Sequence, residues 1–313
     1  MTTETIIMST ETKAPKTAPP RAGSLRRSNR VLAFFTIPSL LWYLIFTIGP
    51  LIAMFLISFT DWTSIIATPE FIGFENFAEM FNDPRVGTAI VNTAIQLVAT
   101  VPIQVVGGFM LGYFLSLKFR GHRFFRVVLF IPALISVAQL GTIFTVVFGP
   151  AGLINSLLTA VGLEEWTRAW LANESTAMLC IILVGIWSGL GFNSILFAAR
   201  LSAIDGDVYA AAELDGANHW QRMWRIAFPI SIDFFGVVLM LQFLWTLFGS
   251  AALILVMTAG GPGQATSTLS WLVYRFAFTG APSIGYSQAI GVLLFILGSI
   301  GLLIIRRAFR QRY

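Results

Sequence analysis

Residues 260–268 form the stretch Gly-Gly-Pro-Gly-Gln-Ala-Thr-Ser-Thr, which imitates the glycine-rich loops that hold phosphate groups. Such a loop needs a Lys to pair with the terminal phosphates of a nucleotide, and this stretch has none. The stretch also falls in a loop that we expect on the outside of the cell, away from ATP. We therefore predict that it binds no phosphate.

The chain offers little other material for catalysis or metal binding. Its two histidines, His122 and His219, are far apart, and its single cysteine, Cys180, cannot form an internal disulfide. Asp233 lies in an apolar stretch, where a carboxylate costs roughly 2.5–3.5 kcal/mol on insertion scales. It follows Pro229 by only four residues and can reach the interface, so a structural role is favoured over a proton relay. We predict no catalytic residue, no metal site and no cofactor bound by this chain. If the protein performs work, the energy for it must come from another subunit or from an ion gradient.

The most polar internal stretch of the chain is Tyr209–Pro229, which lies between two long apolar blocks. Asp207 is placed to cap a short helix that runs through Leu214. Asp215-Gly216 is placed to break that helix, because Gly tolerates the left-handed geometry of a helix end. Pro229 marks the start of the next apolar block. The stretch therefore predicts a helix–turn–helix, which we call the elbow.

The second limb of the elbow carries signs of a docking surface. Asn218, with Gln221 three residues later, fits a capping box. Apolar side chains recur at helical spacing and must be buried somewhere: Trp220, Met223, Trp224 and Ile226. Small side chains on the first limb would let another surface approach the backbone: Ala210, Ala211 and Ala212. A solvated connector needs none of these features, so we predict that the elbow docks against a partner.

Apolar blocks recur along the chain at the length needed to cross roughly 30 Å of hydrocarbon. Of the 313 residues, 56% are hydrophobic and 11% are charged. The candidate spans are Val31–Phe59, Thr88–Leu117, Val127–Phe148, Ala177–Ala199, Ile230–Met257 and Tyr286–Ile305. We predict an all-α integral membrane protein with six transmembrane helices.

The distribution of basic residues predicts the orientation of these spans. With a cytoplasmic N-terminus, 17 of the 20 Lys and Arg residues fall in the two tails and in the second and fourth loops. Only Arg85, Arg168 and Arg275 then lie outside. This asymmetry is typical of the positive-inside rule and predicts that both termini and the elbow are cytoplasmic. The net charge of +5 therefore reports topology and not a nucleic-acid partner.

The predicted domains follow from the spans: a disordered cytoplasmic N-terminal tail over 1–30, a six-helix transmembrane domain over 31–305 and a basic cytoplasmic tail over 306–313. The second outside loop carries an apolar stripe that predicts a surface helix: Leu153, Ile154, Leu157, Leu158 and Val161. The third outside loop opens with Gly and Pro and then becomes amphipathic. No stretch outside the spans exceeds about thirty residues, too few to build a soluble core unaided.

The elbow resembles the signature cytoplasmic loop of ATP-binding-cassette (ABC) importer permeases, in which Glu-Ala-Ala is followed by Asp-Gly-Ala, an aromatic-Gln and a terminal Pro. The matching residues are Ala211, Ala212, Asp215, Gly216, Ala217, Trp220, Gln221, Ile226 and Pro229. The chain departs at Ala210, where the family usually has Glu, and Glu213 on the same helix face is a candidate substitute. The resemblance implies a coupling helix that plugs into a cleft on an ATPase subunit, with these contact residues: Tyr209, Ala210, Ala211, Ala212, Glu213, Asp215, Gly216, Ala217, Trp220 and Gln221.

Other stretches resemble the permeases of carbohydrate importers, most closely the permease half found in maltose and glycerol-3-phosphate importers. They are FIGFENF at 71–77, FIPALIS at 130–136, GPAGLINSLL at 149–158, MTAGGPGQATSTLSWLVYRFAFTG at 257–280 and GYSQAIGVLLF at 285–295. The resemblance covers nearly the whole chain after the N-terminal tail. It implies a second homologous permease subunit, two ABC ATPase subunits that bind ATP and Mg, and an extracytoplasmic sugar-binding protein.

A sugar pathway needs hydrogen-bonding groups and flat aromatic faces. The fourth and fifth spans supply such residues, and the resemblance points to the same spans: Trp187, Phe192, Asn193, Gln242, Trp245, Gly249 and Ser250. Helix packing is the alternative for each of them, since small and polar residues also join membrane helices. Packing is favoured for Ser188 and Gly191, and both explanations remain open for Trp187, Asn193 and Ser250.

We therefore predict a multi-pass permease subunit of an ABC importer for a sugar or oligosaccharide, in the cytoplasmic (inner) membrane of a prokaryote. An importer for another solute, such as glycerol-3-phosphate or a polyamine, is one alternative. An anionic solute would favour cationic groups in the middle of the spans, and the sequence has none there. An ion-coupled carrier working alone is a second alternative, but it needs paired ionisable residues in mid-membrane and often two related halves. A membrane enzyme is a third, and no catalytic constellation supports it.

Overall fold

The structure, a computed structural model, describes residue 34, residues 36–63 and residues 66–309. The predicted N-terminal tail over 1–30 lies outside the described residues, as do residues 310–313. The described residues divide into two compact units, one that ends at Ala53 and one that begins at Met54. This boundary falls inside the first helix, α1 (Thr36–Ile57), which contains a π-helical turn at Leu44–Ile48.

The unit that begins at Met54 is almost entirely helical. A short antiparallel hairpin pairs β1 (Thr60–Asp61) with β2 (Glu70–Phe71). The helices that follow are α2 (Glu75–Asn82), α3 (Pro84–Ser116), α4 (His122–Leu134), α5 (Val137–Val147), α6 (Leu153–Ala160), α7 (Glu174–Leu201), α8 (Gly206–Leu214), α9 (His219–Arg222), α10 (Ile232–Met257), α11 (Leu269–Phe278) and α12 (Ile284–Ala308). Helix α9 continues through a π-helical turn, Met223–Ala227, and a short helical segment, Phe228–Ile230. Helix α6 confirms the helix predicted from the apolar stripe that begins at Leu153, and α11 lies in the amphipathic part of the following loop, 258–283.

Five helices among the described residues are long and apolar enough to cross a membrane: α1, α3, α7, α10 and α12. The expected third span is instead a pair of helices, α4 and α5, that meet at 98°. Counting this pair as one span gives the six that we predicted, but a single continuous helix over Val127–Phe148 is wrong. The break follows from extended backbone at Ile135 and Ser136, and the Ser136 side chain caps α5 by accepting from the Gln139 N–H.

Several spans begin or end outside their predicted limits. Helix α3 begins at Pro84 and not at Thr88, because the Asp83 side chain caps it by accepting from the Arg85 N–H at 2.8 Å. Helix α12 runs through two arginines to Ala308, past the predicted end at Ile305. Polar residues and Arg are compatible with a helix, so a loss of apolar character does not mark where a helix ends.

Helices α3 and α7 pack against each other along most of their length, at a seam of small residues. A Cβ on Gly108 would lie 2.5 Å from the Asn193 Cβ, and a Cβ on Gly112 would lie 2.6 Å from the Phe197 Cβ. Gly191 on α7 plays the same part for α4, because a Cβ there would collide with the Leu129 carbonyl. The packing role that the sequence favoured for Gly191 is thus the one that the structure supports.

The buried apolar residues form two clusters. One cluster contains the α11 residues Leu269 and Leu272 together with residues of α3, α7, α10 and α12. The other joins α3, α7 and α10 to the elbow through Phe109, Phe197 and Met223. The elbow is therefore packed on the helix bundle and is not a free loop.

Candidate functional site

The first limb of the elbow is α8, and its N-terminus is capped by Asp205. The Asp205 carboxylate accepts a hydrogen bond from the Asp207 N–H at 3.1 Å. Our prediction that Asp207 is the cap is wrong by two residues. Asp207 instead lies in the first turn of α8, where a carboxylate interacts favourably with the positive end of the helix dipole.

The tip of the elbow is a left-handed turn at Gly216. Its φ is +78°, a conformation that residues with a Cβ rarely adopt. The Ala217 N–H donates to the Ala212 carbonyl at 2.9 Å, and the Gly216 N–H donates to the Glu213 carbonyl at 3.0 Å. These bonds are those of a Schellman motif, so the predicted break at Asp215-Gly216 is confirmed. No atom lies within 4 Å of the Cβ position on Gly216, so the tip presents open backbone.

The second limb begins with the capping box that the sequence predicted. The Gln221 N–H donates to the Asn218 side-chain oxygen at 2.9 Å, and the Asn218 N–H donates to the Gln221 side-chain oxygen at 2.9 Å. Both limbs are therefore fixed by local hydrogen bonds at the turn between them.

The elbow tip exposes two large apolar side chains among polar neighbours. Leu214 is 90% exposed and Trp220 is 57% exposed. Beside them a shallow cleft of about 300 Å³ is lined by Ala212, Asp215, Gly216, Ala217, Gln221, Arg225 and Ile226. Sequence reasoning missed Leu214, although its place at the end of α8 immediately before Asp215-Gly216 could have indicated it. Large apolar groups at the tip of a polar segment are typical of an interaction site.

The opposite side of the elbow packs on the chain's own helices. Met223 is fully buried, and the Trp224 ring lies 5.5 Å from the Phe109 ring of α3. Our prediction that the apolar residues of the second limb need a partner is thus wrong for Met223 and Trp224, which the bundle itself covers. It remains a prediction for Trp220.

Tyr209 joins the first limb to α3. Its ring lies 6.4 Å from the Tyr113 ring in an edge-on arrangement. Burial, together with a smaller electrostatic contribution from Tyr113, raises the pKa of Tyr209 to about 12. The Tyr209 hydroxyl therefore stays neutral at any physiological pH, and this residue acts through packing.

Glu213 forms an ion pair within the elbow. Its carboxylate lies 3.0 Å from the guanidinium of Arg222, whose side chain is almost fully buried. Glu213 was the candidate substitute for the Glu missing at position 210. In this structure its carboxylate holds the two limbs together, so it is not an unpaired charge, although most of the side chain is exposed.

Three of the predicted pathway residues, Asn193, Gln242 and Ser250, are buried and bonded to neighbouring groups. The Asn193 amide donates to the Gln104 carbonyl at 3.4 Å, and the Ser250 hydroxyl bonds the Ser270 hydroxyl at 2.6 Å. Gln242 donates to the side chain of Gln104. These contacts match the packing alternative.

Sequence reasoning missed Gln104, which lies at the centre of the buried polar groups. Its amide also donates to the Gly185 carbonyl of α7 at 2.7 Å. The signal was a row of polar residues four apart in the second span, all of them buried: Asn92, Gln96, Thr100 and Gln104. Residues four apart share one face of a helix, so this row predicts a polar face inside an apolar span.

The predicted aromatic residues have a different environment. Trp245 is 71% exposed on α10, and Trp187 and Phe192 on α7 are about half exposed. Gly249 lies beside the Trp245 ring, one turn along α10. A cavity of about 500 Å³ is lined by residues of α5, α10, the loops that follow them and the loop before α7, and by none of the predicted pathway residues. This cavity is therefore not the predicted pathway.

Asp233 lies beside Arg200, with 3.8 Å between the carboxylate and the guanidinium, and Arg200 also donates to the Ile230 carbonyl at 3.1 Å. This pairing ties the end of α7 to the start of α10 and supports the structural role expected of Asp233. Over residues 36–63 and 66–309, no group of three His, Cys, Asp or Glu side chains could hold a metal ion.

The long apolar helices define a multi-pass membrane protein, and the elbow is exposed beside them. The chain belongs to the family of binding-protein-dependent transport system inner membrane components, which it matches over residues 28–313. The family is a transport component, which agrees with the prediction that this subunit is not an enzyme.

Named relatives are similar over most of their length. The chain is 34% identical over 275 residues to the probable ABC transporter permease protein YurN of Bacillus subtilis, covering 86% of this chain and 92% of YurN. It is 31% identical over 282 residues to the diacetylchitobiose uptake system permease protein NgcF of Streptomyces coelicolor, covering 84% of this chain and 77% of NgcF.

The fold also matches a chain in the crystal structure of a bacterial alginate ABC transporter in complex with an alginate pentasaccharide-bound periplasmic protein. The TM-score is 0.80, and the match covers 93% of this chain and 97% of that chain. The sequences are 21% identical, so this likeness supports the fold alone.

Proposed function

We propose that this chain is the permease subunit of an ATP-driven ABC importer for a sugar or oligosaccharide. The observation that carries the proposal is the elbow, which presents Leu214 and Trp220 at an open Schellman turn in a chain of the binding-protein-dependent transport family. Exposed apolar side chains beside a turn that local hydrogen bonds hold in place are suited to insertion into a cleft of another subunit.

The orientation follows from the charges. With both termini in the cytoplasm, 17 of the 20 basic residues lie on the cytoplasmic side. The elbow is then cytoplasmic, where ATP is present, and α6 and α11 are outside. The protein resides in the cytoplasmic (inner) membrane of a prokaryote.

The elbow is the coupling segment to an ATPase. Two ABC ATPase subunits bind ATP and Mg, and their closure pulls on the elbow of this chain and of a second, homologous permease. Because Met223 and Trp224 are packed on α3, a pull on the elbow displaces the bundle with it. The helices rock from an inward-open to an outward-open arrangement, and this chain itself binds no cofactor.

An extracytoplasmic binding protein delivers the solute to the two permease subunits. Relatives are named for uptake of diacetylchitobiose and of starch degradation products, and the matched structure contains an alginate-bound periplasmic protein. Sugars stack on aromatic faces. The exposed rings of Trp187, Phe192 and Trp245 are suited to this contact across the interface with the second permease. The helices behind these rings are held by four further residues: the buried Asn193, Gln242 and Ser250, together with Gly249.

The proposal is tested by purifying the chain with its copurifying subunits and reconstituting them in liposomes. The binding protein is first screened against a panel of sugars by thermal shift, and the sugar that stabilises it is used for uptake. We expect the sugar to accumulate only when ATP is supplied on the cytoplasmic side of the permease. Accumulation driven by an ion gradient without ATP would contradict the proposal.

A variant at the elbow tip tests the coupling role. Gly216→Arg places a large charged side chain at the tip and strains a left-handed backbone, and we expect loss of uptake and of stimulated ATP hydrolysis with normal membrane insertion. Gly206→Arg, at the start of α8 where the Cβ position is also open, is the matched control and should transport as wild type does. Wild-type uptake by Gly216→Arg would count against the coupling role.

A further inference from the structure

Helix α3 contacts the elbow at one end and, at the other end, a loop that its side chains hold by hydrogen bonds. That loop, residues 258–268 between α10 and α11, is called here the GGPG loop. We propose that Asn92 and Tyr113 are positioning residues for transport, through which α3 couples the shape of the GGPG loop to the position of the elbow. The proposal rests on the proposed function, because it requires that the elbow moves when the ATPase binds ATP.

At the far end of α3, Asn92 fixes the backbone of the GGPG loop. Its amide group donates to the Gln264 carbonyl at 3.0 Å and to the Ser267 carbonyl at 2.9 Å. The next residue, Thr93, accepts from the Leu269 N–H at 3.0 Å, and both side chains are buried. Three hydrogen bonds from one turn of α3 therefore determine where the loop ends and α11 begins.

The GGPG loop needs this support because its backbone is strained. Ala259 and Gln264 have φ values of 49° and 71°, in the left-handed region that residues with a Cβ rarely occupy. Such conformations persist only where the surroundings enforce them. A small displacement of Asn92 therefore changes the backbone conformation of the loop.

At the elbow end of α3, Tyr113 contacts both limbs of the elbow. Its side chain is fully buried. Its ring lies 6.4 Å from the Tyr209 ring of α8 and 6.4 Å from the His219 ring of α9, both edge-on. The elbow cannot change its angle to the bundle without moving against Tyr113.

The segment between these two residues is held rigidly. Asn92 and Tyr113 are 21 positions apart, or roughly 30 Å along a helix that rises 1.5 Å per residue. Gly108 and Gly112 seat α3 directly on α7, and Gln104 bonds both α7 and α10 close to Pro102, where the helix lacks one backbone hydrogen bond. Close-packed interfaces shift between discrete arrangements and do not deform continuously, so a displacement at one end reaches the other.

A double-mutant cycle tests the coupling. Asn92→Leu removes the bonds to the loop, and Tyr113→Leu removes the ring contacts with the elbow. A bimane label on Ala265→Cys, in a Cys180→Ala background, reports on the GGPG loop of the complete importer in nanodiscs while ATP is titrated. The measured quantity is the ATP concentration at half of the fluorescence change.

We expect each single variant to raise that ATP concentration at least fivefold and the double variant to raise it no more than the larger single effect. Independent sites this far apart combine multiplicatively to within about twofold. The matched control is Asn155→Leu, because the Asn155 amide also donates to loop carbonyls, those of Gly149 at 3.5 Å, Pro150 at 3.0 Å and Arg168 at 2.9 Å, but lies on α6. Its effect should multiply with that of Tyr113→Leu.

The inference would be overturned if the effects of Asn92→Leu and Tyr113→Leu on the half-maximal ATP concentration multiplied. It would also be overturned if the fluorescence of the label in the otherwise wild-type importer did not change while the copurified ATPase hydrolysed ATP. If no ATPase copurifies with the wild-type chain, the proposed function itself fails. Should Asn92→Leu not assemble, Asn92→Asp keeps the size of the side chain but presents a carboxylate that accepts where the amide donates, and the same cycle applies.

Discussion

At the scale of residues, the proposed function assigns recognition of the ATPase to single side chains at the elbow tip. Leu214 and Trp220 are exposed while Met223 is fully buried, so the elbow presents some apolar side chains to solvent and packs others on the bundle. The Schellman bonds around Gly216 hold the exposed residues in place without help from the partner. A preformed surface of this kind loses little conformational freedom on binding.

Leu214→Ala tests the recognition at this scale. Burial of a Leu side chain contributes about 1.5–3 kcal/mol, and Ala keeps part of it, so we expect the affinity of the ATPase for the permease to fall about tenfold. The dissociation constant measured by biolayer interferometry on the permease in nanodiscs would show the change.

Val208→Ala is the control for Leu214→Ala, because Val208 is also exposed on α8 but lies at its other end. Its affinity should stay within twofold of wild type, and the thermal unfolding midpoint of Leu214→Ala should match wild type since its side chain packs on nothing in the free chain. An unchanged dissociation constant for Leu214→Ala would show that the tip is not the contact.

At the scale of elements, close helix contacts at glycines fix the bundle that supports the elbow. Helix α3 meets α7 at Gly108 and Gly112, and α4 meets α7 at Gly191. Small residues allow such approach, and association in a membrane depends on this packing because lipid supplies no hydrophobic force between helices.

Gly112→Ala tests the α3–α7 seam. Its Cβ would lie 2.6 Å from the Phe197 Cβ and 2.7 Å from the Ser194 carbonyl oxygen, so we expect a loss of about 1–3 kcal/mol in the free energy of unfolding. The measurement is the unfolding transition of the purified protein in detergent. Gly87→Ala on the same helix is the control, since no atom lies within 4 Å of its Cβ position, and it should be neutral or stabilising. Equal free energies of unfolding for the two variants would contradict close packing of α3 on α7 at Gly112.

The sequence predicted most elements and fewer of their contacts. Local chemistry sufficed for the Asn218–Gln221 capping box and the turn at Gly216, because the bonds that form them lie within a few residues. It did not suffice for the α4–α5 break, where apolar composition continues across Ser136 although the backbone does not. Nor could it show that Gln104 pairs with Gln242, because 138 positions separate them and only the packing of α3 against α10 brings them together.

At the scale of the whole molecule, the proposed function treats the helices of the unit that begins at Met54 as the support of the elbow. The elbow packs on α3, α7 and α10 through one apolar cluster, and α3 reaches from there to the GGPG loop. Aromatic rings on α7 and α10 are exposed, and the proposed function assigns them to a solute pathway shared with a second permease.

The central claim is that the elbow is seated in an ATPase, and photocrosslinking in native membranes tests it most directly. With Ala211→p-benzoylphenylalanine on the exposed face of α8, we expect an adduct with a subunit that mass spectrometry identifies as an ABC ATPase. The same substitution at Leu153 on α6, also exposed, should give no such adduct. Absence of the ATPase adduct at Ala211, or an equal adduct at Leu153, would contradict the account.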